Sequence, residues 1–86
     1  MSMQERIESK LQAAFSPKQL AVINESHLHA GHAGDDGSGE SHFRVEIESD
    51  SFNGMSRVMR ERAVFDALSE EVSIIHALSM SVKPAE

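Results

Sequence analysis

Residues 41–62 read SHFRVEIESDSFNGMSRVMRER. Phe43, Val45 and Ile47 alternate with Arg44, Glu46 and Glu48. That period of two predicts a strand over His42–Ser49 with one face buried and the other wet. Phe52-Asn53-Gly54 marks a turn, Ser56 offers an N-cap hydroxyl, and Arg57 to Val72 reads as a helix. Val58, Met59, Phe65, Leu68 and Val72 fall near one broad face of that helix and are expected to be its buried side. Glu70 and Glu71 would then sit at the negative end of the helix dipole, so the last turn is expected to fray.

Downstream, Ile74 to Lys83 predicts a strand in which His76, Leu78, Met80 and Val82 share one parity, and Pro84 ends it. Upstream, Leu20 to Ser26 predicts a short strand. The chain opens with Ser2-Met3-Gln4-Glu5, a capping-box pattern, after which Met3, Ile7, Leu11 and Phe15 recur every fourth residue. One apolar stripe on a helix ending near Ser16-Pro17 follows. The order is helix, strand, strand, helix, strand. A strand-helix-strand crossover favours parallel pairing of the second and third strands, while the first two should pair antiparallel. The expected fold class is α+β, a three-stranded mixed sheet with helices on one face.

At 86 residues the chain is expected to be one small domain spanning 1–86, with any active site built on its surface or shared with a partner. Lys plus Arg number 8 against 14 Asp plus Glu, a net charge of −6, which opposes non-specific attraction to phosphate or anionic lipid. Without Cys there is no disulfide, no thiol nucleophile and no thiolate to hold metal. No apolar run approaches the roughly 20 residues of a membrane span, and the amino terminus lacks a signal-like core. Cytoplasm is the expected compartment, and no membrane association is expected.

Between the first two strands, residues 27–41 are rich in Gly, His, Asp and Ser and carry no apolar period. This flexible stretch holds His27, His29 and His32, and His42 follows it. Imidazoles so clustered suit zinc, copper, nickel or iron. The spacing matches neither a zinc knuckle nor a helical H-E-x-x-H, so metal ligation and solvated histidines both stay open. His76 is either a strand-end histidine bonded to backbone or a distant member of the same site. Gly31-His32-Ala33-Gly34 spells the G-x-x-G with which KH domains clamp nucleic acid, but it lies between strands rather than helices and beside Asp35 and Asp36. Arg57, Arg60 and Arg62, near a helix start, are the candidate phosphate contacts, interrupted by Glu61. No nucleophile elbow, Walker loop or dinucleotide fingerprint appears, so the chain is not expected to be an enzyme.

In order, Asn24-Glu25-Ser26, Ser41-His42-Phe43, Phe52, Gly54, Ser56, Arg60, Arg62 and His76-Ala77-Leu78 resemble the BolA family across nearly the whole chain. The resemblance implies a class II KH-like fold without the G-x-x-G clamp. It also implies a monothiol glutaredoxin partner with which a bridging 2Fe-2S cluster is held, glutathione and the glutaredoxin Cys supplying sulfur. The chain would be a monomer alone and a heterodimer with that partner. In that family one ligand is a His or Cys of the first strand-strand loop and another the histidine opening the last strand. Carried over, these are His29 and His76, with His27 and His32 as rivals, which makes this a His-loop member. Some bacterial members are DNA-binding transcriptional regulators of stress response and cell shape, the alternative function here, with Arg57, Arg60 and Arg62 as its contacts. Glu61 departs from the family's usual R-H-R triplet and weakens that surface. Histidine ligation should raise the cluster potential relative to thiolate and make binding sensitive to protonation.

Overall fold

The structure is a computed structural model, and it describes residues 2–26 and 41–85. Helix α1 spans Met3–Phe15. Its capping box is formed: the Glu5 amide donates to Ser2 Oγ at 3.1 Å and the Ser2 amide to Glu5 Oε1 at 3.0 Å. The Ser2 amide first, and its hydroxyl second, favour the ionised carboxylate and hold Glu5 below its ordinary range. The helix ends at Ser16, whose left-handed φ of 44° turns its amide onto the Gln12 carbonyl.

Strand β1 (Gln19–Asn24) pairs antiparallel with β2 (His42–Ser49), and β2 pairs parallel with β3 (Ala77–Pro84), giving the order β1-β2-β3. The register sets Val22 against Val45 and Val45 against Met80, with Leu20 and Val82 both against Ile47. Phe43, Val45 and Ile47 are therefore a central apolar row, buried under Ile7 and Leu11 of α1 and Val64 and Leu68 beyond. Arg44, Glu46 and Glu48 take the other face, which no helix among the described residues covers. A 3-10 turn at Asp50–Phe52 buries Phe52 beside Phe15, ring centroids 4.8 Å apart, and Gly54 takes φ 79° to redirect the chain. Ser56 Oγ then accepts the Met59 amide at 3.2 Å and starts α2.

The expected long helix is two. Helix α2 runs Arg57–Ala67 and α3 runs Ser69–Ile74. Between them Leu68 (φ −107°, ψ 21°) leaves helical geometry and shares its amide between Val64 and Phe65 carbonyls, burying its own side chain completely. The break moves Glu70 and Glu71 from a helix end to the first turn of α3, where the dipole favours them, so the expected fraying is corrected. Glu71 is fully buried and meets Arg6 at 2.9 Å and Lys10 at 3.0 Å, tying α3 to α1. The face of α2 also differs from expectation. Val58, Met59 and Phe65 are 66%, 50% and 40% exposed, and Val64 and Leu68 make the buried side. On the same side as Val64 and Leu68, Arg60 Nε donates to the Val82 carbonyl at 3.1 Å and ties α2 to β3. Finally, β3 starts at Ala77 rather than Ile74, because α3 continues through Ile74.

Candidate metal centre

Four residues, Ser26, Ser41, His42 and His76, close the end of the sheet where β1 stops and β2 and β3 begin. Ser26 follows β1 and is buried. Its hydroxyl accepts the amides of Ser41 at 2.9 Å and His42 at 3.0 Å, and its own amide donates to Asn24 Oδ1 at 2.9 Å. These bonds clip together the two ends of the 27–40 segment. The Ser41 carbonyl in turn accepts the amides of His76 at 2.8 Å and Ala77 at 3.1 Å. His76 is thus held by its backbone to the residue that closes the histidine-bearing stretch.

The two described histidines differ in setting. His42 is buried, with Nδ1 2.7 Å from Ser41 Oγ, and its ring lies 5.1 Å from that of His76 at a 48° tilt. His76 is exposed and precedes β3, free of the strand's pleat. A hollow of about 220 Å³ opens beside them, lined by Glu25, His42, Phe43, Ala77, Leu78 and Ser79. An exposed imidazole with a fixed backbone fits a nitrogen ligand that a second molecule can reach, and the chain has no thiolate of its own. Among the described residues no group of three metal-ligating side chains converges. His27, His29 and His32 lie outside the described residues.

His42 was not among the expected site residues. Strand parity groups it with Arg44 and Glu46, and His76 with Leu78, which would put the two rings on opposite faces. The irregular step at Ile75-His76 overrides that parity. The available signal was the pairing of parallel strands, which sets His42 beside Ala77, next to His76.

The three candidate phosphate contacts do not form one surface. Arg57 Nε is bonded to Glu61 Oε2 at 3.0 Å, and Arg60 donates to the carbonyls of Val82 and Met55 at 3.1 and 2.8 Å. Arg62 is exposed, but two helical residues past Arg60 it points about 200° away. No helix among the described residues is long and apolar enough to cross a membrane.

Comparison with known proteins agrees with this architecture. The BolA-like protein family model matches residues 11–86. The "uncharacterized protein in cobS 5′ region" of Sinorhizobium sp is 56% identical over 87 residues, covering 99% of this chain and 91% of that protein. The DNA-binding transcriptional regulator BolA of Escherichia coli (strain K12) is 44% identical over 81 residues, covering 93% and 73%. Among solved structures, BolA1 from Arabidopsis thaliana superposes with a TM-score of 0.87 at 40% identity, over 98% of this chain and 93% of that one. By family match, identity and fold together, the chain belongs to the BolA-like family.

Proposed function

We propose that this chain is a non-enzymatic cytoplasmic adaptor that binds a monothiol glutaredoxin and helps to hold a bridging 2Fe-2S cluster as cargo for iron-sulfur trafficking or iron regulation. The observation that carries the reading is the exposed His76, fixed through its amide to Ser41 at the end of the histidine-bearing stretch. His76 would supply one nitrogen. His29, three residues after the buried Ser26 in sequence, would supply the other, with His32 and His27 as substitutes. The glutaredoxin cysteine and glutathione would supply the thiolates that this chain lacks. His42 packs against His76 and keeps its ring at the mouth of the site.

The test is anaerobic mixing with cluster-loaded monothiol glutaredoxin, followed by visible absorption and circular dichroism. A new spectrum with the wild type that is altered by His76→Ala and by His29→Ala is expected. Identical spectra for all three proteins would refute the reading.

A second reading, a DNA-binding regulator, is favoured by the name of the Escherichia coli relative. Its basic contacts here reduce to Arg62 and the outer amino groups of Arg57, in a chain of net charge −6. Binding to duplex DNA that persists near physiological salt and falls in Arg62→Ala would support it.

A further inference from the structure

Four of the chain's eight basic residues line one hollow away from the histidines. Arg44, Arg57, Arg60 and Lys83 surround a space of about 380 Å³ between the start of α2 and β3, and Glu61 is its one carboxylate. The cations arrive from different elements: Arg44 from β2, Arg57 and Arg60 from α2, Lys83 from β3. Arg44 and Arg57 are each braced through Nε, to Glu46 and to Glu61, both at 3.0 Å, which leaves their terminal amino groups to reach into the hollow. Arg60 spends its Nε on the Val82 carbonyl and adds charge more than reach. Lys83 has no ion pair among the described residues, and Ser81 adds a hydroxyl to the lining.

Arg44 and Arg57 are each offset by one carboxylate, so the surplus positive charge of the hollow is that of Arg60 and Lys83, which an added anion would offset. Guanidinium forks match oxyanions in geometry as well as charge. Donors from three elements suit a tetrahedral oxyanion, which accepts in several directions, better than a planar carboxylate. Extent decides between a small anion and a polymer. Glu46 and Glu48 stand opposite Ser81 and Lys83 on the same sheet face, so a polyanion laid across the hollow would run onto carboxylates. We infer that this hollow binds a compact phosphate group, inorganic or carried by a small metabolite, through Arg44, Arg57 and Lys83.

The experiment titrates the 15N-labelled full chain with inorganic phosphate and, separately, with ribose 5-phosphate, at constant ionic strength, using acetate as the control anion. Saturable amide shifts at Arg57, Ser81 and Lys83 are expected, with acetate inert. Arg44→Gln and Lys83→Gln should each weaken binding by about tenfold, the scale of one charge-assisted hydrogen bond at a part-exposed site. Because both side chains are surface groups, unchanged melting of the two variants separates lost binding from lost folding. Equal response to the two probes assigns inorganic phosphate, and tighter ribose 5-phosphate binding assigns a metabolite. Linear shifts, an equal response to acetate, or unaltered binding in both variants would overturn the inference. So would an oligonucleotide that saturates the same amides at lower concentration than either compact probe, which would assign the hollow to nucleic acid.

Discussion

His42 and His76 face each other at 5.1 Å, one buried beneath Ser41 and the other open to solvent. Their roles should separate on substitution. His42→Ala empties a buried site and strands the Ser41 hydroxyl, which should cost about 2 kcal/mol in urea unfolding. His76→Ala removes a surface ring and should stay within about 0.5 kcal/mol of wild type. Equal losses would mean that His76 is a structural residue like its neighbour.

Glu71 gives the fold a pH dependence. Burial pushes its carboxyl up, but Lys10 and Arg6, with a backbone hydrogen bond, outweigh burial and hold it below its ordinary value of 4.5. The hydrogen bond to Glu71 raises Lys10 above its ordinary 10.5. A depressed acid contributes stability that is present above 4.5 and lost as pH falls through its folded value. A raised base contributes stability present below 10.5 and lost as pH rises through its folded value. Melting temperature should therefore hold across the neutral range and fall at both ends, and Glu71→Gln should blunt the acid limb. An acid limb unchanged in that variant would contradict the assignment.

Removing the carboxylate altogether should cost more. Glu71→Ala leaves a cavity and breaks two ion pairs. Arg6 and Lys10 are about a third exposed and can rehydrate, so a loss of about 2 kcal/mol is expected rather than the larger cost of a fully buried pair. Chemical denaturation measures it, and a loss below about 0.5 kcal/mol would show that the α1–α3 link is dispensable.

The turn into α2 offers two clean substitutions. Ser56→Ala removes the hydroxyl that accepts the Met59 amide and should cost about 1 kcal/mol. Gly54→Ala meets no atom within 4 Å, so its cost, again about 1 kcal/mol, comes from φ 79° alone. A neutral Gly54→Ala in thermal unfolding would mean that the turn relaxes to another conformation.

Arg60 and Arg62 should part in the same assay. Arg60→Ala strands the carbonyls of Val82 and Met55 and should destabilise by about 1–2 kcal/mol, whereas Arg62→Ala should be nearly silent. If Arg60→Ala were silent and Arg62→Ala costly, the orientation of α2 would be wrong.

Much of the architecture was legible because it follows from local periods. The alternation of Phe43, Val45 and Ile47, the every-fourth stripe of Met3, Ile7 and Leu11, and the caps at Ser2 and Ser56 all stand where the residues put them. What failed depended on tertiary contacts. Beyond the break at Leu68, Glu71 meets Arg6 and Lys10, 65 and 61 positions away in sequence, and no helical period records that. Val58 and Met59 are exposed while Arg60 reaches β3, an arginine that reads as surface in any local window. At the candidate site, His76 was singled out only through the family resemblance, because its own period set it inside a strand. The ring contact with His42 was not legible, because it depends on an irregular step that strand parity cannot foresee.

The central claim is that a nitrogen of this chain ligates a cluster shared with a glutaredoxin. Its most direct test is pulsed electron paramagnetic resonance of the reduced heterodimer, prepared with 15N-histidine only in this chain. The account predicts 15N couplings of directly bound imidazole that are diminished in His76→Ala and kept in His42→Phe. A wild-type spectrum without any 15N-histidine coupling would contradict it.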